Sequence, residues 1–166
     1  ATENALSIES DEPSFIHKAG DNYLSFEAPA DLEPGSSELA DFTLKLQSEV
    51  YKADKRVVDG TMSASGYESS RYALCNSNGL DLEDTAAFSY SYASALVSDG
   101  ESKYDGSGIA SGSLEGFDAA KIAAEAVDDA VSTIGYTSVP SGKYTVVFSS
   151  KVMAALLSTY SSVFCA

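Results

Sequence analysis

The chain has 166 residues, with 10 Lys and Arg against 25 Asp and Glu, which gives a formal net charge of −15. This length favours a single domain, and a hydrophobic content of 44% argues against global disorder. Because affinity for a polyanion comes mostly from Lys and Arg, the acidity argues against direct contact with nucleic acid or an anionic membrane surface. It favours basic peptides or proteins as partners.

Targeting signals are not visible in the sequence. No apolar run approaches the roughly 18–20 residues that cross a bilayer. The first ten residues contain neither a basic nor an apolar segment, so we do not expect them to form a signal peptide. Cys75 and Cys165 are far apart and fit no metal-ligand spacing, which predicts two free thiols. The expected location is the reducing cytoplasm.

Residues 1–35 are predicted to form an irregular acidic arm. Ten acidic residues precede position 42, whereas Lys18 is the only basic residue there, and three of the four prolines also lie in this stretch. Short apolar islands interrupt it, so we expect an arm that docks at a few points. The predicted domain is residues 36–166.

Helical periodicity begins after the Pro34-Gly35 turn. Ser36 or Ser37 suits an N-cap, and the apolar residues recur at helical spacing, which predicts a helix over 37–53. Its predicted buried positions are Leu39, Phe42, Leu46 and Val50.

The middle of the chain changes to Ser, Gly, Tyr, Ala and Val with strand-like alternation. Asn78-Gly79 and Asp99-Gly100 supply hairpin-turn chemistry. In residues 88–93 the aromatics fall on one face and the small residues on the other. The predicted antiparallel strands are 56–68, 71–77, 84–98 and 102–112.

The last third returns to helix and strand. Asp118 is the predicted N-cap of a helix that Gly135 ends, with an apolar face from Ile122 to Ile134. A short strand is predicted over 144–148, and a helix starting at Ser149 or Ser150 stays apolar to its last residues. We therefore expect further protein to cover that helix, or self-association through it. The predicted class is α+β, with about four to five antiparallel strands and about three helices.

Catalytic chemistry is incomplete in these residues. His17 is the only histidine, so a His-pair zinc motif is excluded within these residues. A Ser-His-Asp triad would have to use the same His17, and the sequence contains no Gly-x-Ser-x-Gly elbow. Residues 99–108 are similar to a calcium loop, but Lys103 and Tyr104 occupy positions where an EF-hand needs an oxygen ligand and a glycine. Cys75 is interpreted as a buried small hydrophobe rather than a nucleophile. No catalytic, cofactor or metal residue is predicted.

Three blocks in order resemble the TldD/PmbA family, formerly called modulators of DNA gyrase, and in particular its PmbA (TldE) branch. They are Asp54-Lys55-Arg56-Val57, the run from Tyr72 to Gly79, and the run from Pro140 to Phe148. Asp11-Glu12-Pro13 is similar to an acidic-Pro element of that branch. The resemblance implies that the chain is a central fragment of a longer protein, incomplete at its C-terminus.

The same resemblance implies a function. The TldD branch is a zinc peptidase with a His-Glu-x-x-x-His helix, and the matching positions here are Ser158, Thr159 and Val163, which cannot replace imidazole as zinc ligands. The chain is therefore expected to be a non-catalytic subunit that pairs with a TldD-like subunit holding the zinc. The complex is expected to act in peptide maturation and antitoxin degradation.

A physical basis for such a role is an exposed strand edge, which an extended peptide can join through backbone hydrogen bonds. Phe88, Tyr90 and Tyr92 are the candidate contacts with a peptide or a partner. The alternative is that these aromatics pack against the two later helices. Two other functions remain open at this point: part of a self-sufficient peptidase whose ligands lie outside these residues, and an acidic extracellular binding module.

Overall fold

The structure is a computed structural model that describes residues 33–164, residues 17–20, and the isolated positions Glu3, Ser7 and Tyr23. Most of the predicted arm, including Asp11-Glu12-Pro13, lies outside the described residues, as does Cys165. The chain divides into two compact units, Ala1–Ile134 and Gly135–Ala166. Within the described residues, no helix is both long enough and apolar enough to span a bilayer.

From Ser36 onward the described residues form three α-helices and one antiparallel sheet, which confirms the α+β class. The helices are α1 (Ser36–Ala53), α2 (Ala119–Ser132) and α3 (Ser150–Thr159). The strands are β1 (Met62–Cys75), β2 (Asp81–Ser98) and β3 (Lys103–Gly112), in the order β1-β2-β3. Short 3-10 turns follow at Leu114–Gly116 and Ser161–Phe164.

The described sheet has three strands, whereas the sequence predicted four to five. The predicted strands 56–68 and 71–77 are one strand, because β1 pairs with β2 without interruption from Met62 opposite Ser94 to Cys75 opposite Asp81. Before β1 only a single bridge joins Val57 to Val97.

The side chain of Thr61 explains why β1 begins late. Its hydroxyl accepts a hydrogen bond from the Leu96 N–H at 3.1 Å and donates to the Val58 carbonyl at 3.0 Å. The Thr61 side chain, rather than a backbone carbonyl of β1, therefore satisfies the Leu96 N–H between the Val57–Val97 bridge and the start of β1.

The strand predicted over 144–148 is also wrong, because these residues form no strand and their side chains are exposed. An apolar β-rich run becomes a strand only when a neighbouring strand satisfies its backbone groups, and no described strand pairs with it. The following helix is confirmed from Ser150, where the Ser149 side chain accepts a hydrogen bond from the Val152 N–H at 3.3 Å. It ends at Thr159, earlier than the apolar pattern indicated.

The core lies on the one face of the sheet that α1 and α2 cover. Asp118 caps α2 as predicted, accepting hydrogen bonds from the backbone N–H groups of Ala120 and Lys121 at 2.9 and 3.2 Å. Phe42 of α1 meets Phe117 edge to face, with the ring centroids 5.9 Å apart. The buried core residues are Leu46, Val50, Ala93, Ala95, Ala119, Ile122, Ala123, Ala126 and Val127.

Two glycines of β3 allow α2 to approach the strand at backbone distance. A Cβ atom added to Gly106 would lie 2.2 Å from the Ala130 nitrogen, and one added to Gly108 would lie 2.2 Å from the Ile122 oxygen. Any side chain at these positions would collide with helix backbone. Glycine here therefore serves close packing rather than turn formation.

Candidate functional site

The two faces of β2 carry different side chains, as the alternation predicted. Ser89, Ser91, Ala93, Ala95 and Val97 are buried, and the core places this face under the helices. Phe88, Tyr90 and Tyr92 therefore lie on the opposite face, because successive strand residues alternate. The alternative that these aromatics pack against a later helix is wrong for α2. That helix packs against small residues, which allow it to approach more closely than large ones would.

Among residues 33–134, no helix packs on the other side of the sheet, which we call the open face and define by Phe88, Tyr90 and Tyr92 on β2 and by the residues opposite them. Tyr90 lies between Gly66 and Ser111, and Tyr92 lies between Ala64 and Ile109. Residues directly opposite one another in neighbouring strands share a face. Phe88 and Ile109 are 39% and 66% exposed, so large apolar side chains of the open face are accessible.

Tyr90 lies across the backbone of β1. A Cβ atom added to Gly66 would come within 2.6 Å of the Tyr90 ring carbon Cζ and hydroxyl. The absent side chain thus leaves the space that the ring occupies. A tyrosine held in this way offers an apolar ring and a hydroxyl to an approaching molecule.

The open face continues along a two-stranded extension of the sheet. β3 pairs only with Ser89–Ser98, so among the described strands the preceding part of β2 is paired with β1 alone. On this extension Tyr72 and Leu74 are each 59% exposed, and they share the side of Phe88 by strand alternation. Apolar side chains therefore follow the open face beyond the part of the sheet that the helices support.

The tip of this extension receives the segment 17–20. Asn76 donates a side-chain hydrogen bond to the His17 carbonyl at 2.8 Å, and the Ala19 N–H donates to the Asn78 carbonyl at 3.4 Å. The imidazole of His17 is exposed. This part of the predicted arm therefore contacts the hairpin turn through its backbone.

The two edges of the sheet also differ. At the β3 edge, the Asp129 carboxylate of α2 accepts a hydrogen bond from the Ser107 N–H at 3.1 Å. At the β1 edge, an open groove of about 620 Å³ lies between exposed parts of the strand and of α1. The groove is lined by Ser36, Leu39, Ala40, Thr43, Leu44, Ser63, Ala64 and Ser65.

Hydroxyl groups form a chain between α1 and the sheet. Thr43 Oγ1 lies 2.8 Å from Ser65 Oγ, and Ser65 Oγ lies 2.7 Å from Ser91 Oγ. Thr43 also donates to the Leu39 carbonyl at 2.8 Å. Ser63 Oγ, on the same side of β1, is buried and has no hydrogen-bond partner among the described residues. Buried polar atoms are normally paired, so Ser63 stands out.

The turn that was similar to a calcium loop is satisfied internally. The Asp99 carboxylate accepts hydrogen bonds from the Ser102 and Glu101 N–H groups at 2.8 and 2.9 Å and from the Tyr104 hydroxyl at 2.8 Å. These donors lower the pKa of Asp99, with the Ser102 amide contributing most. The carboxylate therefore serves the hairpin turn.

The positions that the resemblance assigns to the zinc ligands of the TldD branch carry no zinc-binding side chains. Ser158 and Thr159 lie in the last turn of α3, and Val163 lies in the following 3-10 turn. Thr159 donates its hydroxyl to the Ala155 carbonyl at 2.9 Å, and valine has no ligand atom. In the described part of the chain, no three His, Cys, Asp or Glu side chains are grouped to hold a metal. Cys75, interpreted from sequence as buried, is exposed.

Comparison with known proteins gives consistent results. Residues 29–134 match the family model described as the PmbA/TldA metallopeptidase central domain. No curated protein matches the sequence significantly. A Thermotoga maritima crystal structure, named as a modulator of a DNA gyrase, is 26% identical, with a TM-score of 0.62 over 84% of this chain and 33% of that one.

TldE from Thermococcus kodakarensis has a similar fold, with a TM-score of 0.60 and 17% identity over 76% of this chain and 29% of that one. The chain thus spans about a third of the length of both structures.

Proposed function

The chain belongs to the PmbA/TldD family of metallopeptidase-related proteins, and from this premise we propose that it is part of a non-catalytic, PmbA/TldE-like subunit. In this proposal it pairs with a TldD-like subunit that carries the zinc. The complex acts in the cytoplasm, in peptide maturation and antitoxin degradation. The zinc belongs to the partner because Ser158, Thr159 and Val163 offer no adequate ligand set.

The observation that carries the proposal is the open face. It gathers Phe88, Tyr90 and Tyr92 with the exposed Ile109 on one side of a sheet whose other side is filled by helices. Contiguous exposed apolar surface of this kind marks interaction sites, and Tyr and Phe are enriched at the centre of protein interfaces. The face therefore supports a role in which binding of a protein, rather than bond cleavage, is the task of this domain.

The acidity bears on the name of the Thermotoga protein. With a net charge of −15, the chain has few cations to neutralise phosphates. If a member of this family influences DNA gyrase, we propose that it does so through proteins or peptides.

The direct test is to mix the chain with the TldD-like protein encoded in the same genome and to measure association by size-exclusion chromatography with light scattering. We expect a complex that Tyr90→Ser and Phe88→Ser weaken by at least about tenfold each, the range of interface hot spots. Tyr51→Ser is the matched control, because Tyr51 is exposed on α1 and not on the sheet.

Zinc analysis provides a second test. We expect the isolated chain to bind no stoichiometric zinc and to cleave no peptide. One zinc per chain held by these residues, with peptidase activity, would contradict the proposal.

A second candidate is supported by the coverage, since about two thirds of each matched structure has no counterpart in this chain. A self-sufficient peptidase would carry its ligands there. A His-Glu pair in the complete reading frame, with activity in the absence of any partner, would favour this candidate over the first.

A further inference from the structure

We propose that the edge of β1 with which no described strand pairs binds an extended peptide strand, which lies in the groove between β1 and α1. This inference goes beyond the proposed subunit role, because it needs neither a catalytic partner nor the open face. Its occupant is a peptide segment with small apolar or hydroxyl side chains and basic flanks.

The first support is the difference between the two edges. An edge strand presents unpaired backbone N–H and C=O groups that can pair with another strand. At the β3 edge, Asp129 of α2 takes the Ser107 amide, and α2 packs against the backbone at Gly106 and Gly108. At the β1 edge, residues 63–65 line an open groove instead. Strand addition is therefore directed to β1.

The second support is the volume and lining of the groove. Its volume of about 620 Å³ falls within the range of roughly 300–1,000 Å³ found for ligand pockets. Leu39, Ala40 and Leu44 give it an apolar wall on the helix side, and Leu44 is 69% exposed. An added strand would direct alternate side chains toward this wall, which is how edge-binding domains obtain specificity.

The third support is Ser63, whose buried hydroxyl oxygen lacks a partner while its neighbours in the hydroxyl chain are paired. Leaving such a group unsatisfied costs free energy that a bound donor or acceptor would recover. Ser63 lines the groove, and because its oxygen is buried, rotation of its side chain toward the groove is needed for it to pair with a hydroxyl-bearing side chain of the incoming strand. This favours Thr or Ser at alternate positions of the peptide.

Charge selects the flanks of the peptide. The chain carries −15 formal charges, so a cationic peptide is attracted and an acidic one is repelled. Because salt screens the attraction between solvent-exposed charges, binding should weaken as the salt concentration rises.

The test uses the fluorescein-labelled peptide Lys-Lys-Thr-Val-Thr-Val-Thr-Lys-Lys and fluorescence anisotropy with the 166-residue chain. We expect saturable binding. N-methylation of alternate backbone nitrogens blocks hydrogen bonding along one edge of a strand. Methylating one set, either the valines or the threonines, should therefore weaken binding at least about tenfold. Methylating the other set should leave the affinity within about twofold. Equal affinity of both methylated peptides, or no binding at 1 mM protein, would overturn the proposal.

Two matched substitutions locate the site. Ala40→Trp fills the groove from an exposed position and should reduce affinity about tenfold, whereas Ala120→Trp, at an exposed position of α2, should not. Circular dichroism verifies that both variants are folded. Equal effects of the two substitutions would place the peptide elsewhere.

Two further outcomes separate this proposal from the alternatives. Tyr90→Ser should leave peptide affinity unchanged even if it abolishes association with a TldD-like protein, so the two proposals fail independently. If ultracentrifugation shows a dimer that both the peptide and Ala40→Trp dissociate, the groove is occupied by a second copy, and the peptide proposal is wrong.

Discussion

The two faces of the sheet carry different kinds of side chain, although the same strands supply both. The helix-covered face uses Ser, Ala and Gly, and it brings the α2 backbone onto β3 at Gly106 and Gly108. The open face uses Phe and Tyr, with the Tyr90 ring placed over Gly66. Apart from Val97, the sheet therefore buries small residues and displays aromatic ones, while the large apolar side chains of the core, such as Leu46 and Ile122, come from the helices.

The two faces therefore differ in what they pack against, and in the proposed function they separate stability from recognition. On the covered face the packing partners are backbone atoms, which cannot move without displacing a helix. On the open face the packing partner of Gly66 is a side chain, which can rotate. The same substitution should therefore have different consequences on the two faces.

The largest expected effect is that of Gly108→Ala on the covered face. The new Cβ would lie 2.2 Å from the Ile122 oxygen, so α2 must shift away from β3. Overpacking of this kind typically costs about 1–3 kcal/mol, and we expect the upper end of that range because the clash involves backbone. Urea unfolding followed by circular dichroism measures the change.

Gly116→Ala is the matched control for this substitution, because a Cβ at Gly116 meets open space. A loss at Gly108 no larger than that at Gly116 would show that α2 does not rest on the strand as described.

A smaller loss is expected for Ser91→Ala, which removes a link of the hydroxyl chain on the covered face. Ser91 is fully buried and bonded to Ser65, so its removal should cost about 1–2 kcal/mol of unfolding free energy. Ser63→Ala makes the comparison, since it removes a buried hydroxyl without a partner and should be neutral or stabilising. The same unfolding measurement applies to both variants. Equal losses of unfolding free energy would contradict the assignment of Ser91, and not Ser63, to the chain of hydroxyl groups.

On the open face, Gly66→Ala should change stability by less than about 1 kcal/mol. The added Cβ meets only the far end of the Tyr90 side chain, which can rotate away, and alanine gains over glycine by restricting the unfolded chain. Near-ultraviolet circular dichroism should nevertheless change as the ring moves. A loss as large as that of Gly108→Ala would mean that the open face is as rigid as the covered one.

Much of this contrast was accessible from the sequence. Helical spacing located α1 and α2 to within about two residues at most of their ends, and alternation placed Phe88, Tyr90 and Tyr92 together. The sequence did not show which face the helices cover. Residue size suggests the aromatic face, whereas the close approach of α2 depends on glycines in β3. The groove at β1 was missed for a similar reason. It depends on the distance between α1 and a strand, and no periodicity encodes that distance.

The predicted number of strands was too high for two separate reasons. The polar Ser69-Ser70 pair looked like a break, but both residues belong to a strand that continues through them. Residues 144–148 have β propensity but no described strand beside them. Propensity describes a suitable surface, and pairing decides whether a strand forms.

The smallest effect is expected where neither face is involved, at the Asp54–Arg56 pair after α1. Arg56 donates to both Asp54 oxygens from its side chain and to one of them from its backbone, which lowers the pKa of Asp54 from 3.8 to about 2. A carboxyl with a lowered folded-state pKa contributes stability that is complete above its unfolded value, near 3.8, and is lost as the pH falls through about 2. Stability between pH 5 and 8 should therefore not depend on this titration.

Carbon-detected NMR titration of the Asp54 carboxyl measures its pKa directly. Arg56→Ala should raise it most of the way to 3.8, because the side-chain hydrogen bond is the largest cause and only the backbone donor remains. Asp99 is the internal control, since its pKa is lowered chiefly by the Ser102 and Glu101 amides and should not respond to the substitution. A parallel shift of both carboxyls would indicate that the change had disturbed the sheet. The contrast between its faces would then have to be measured again without this pair as a neutral reference.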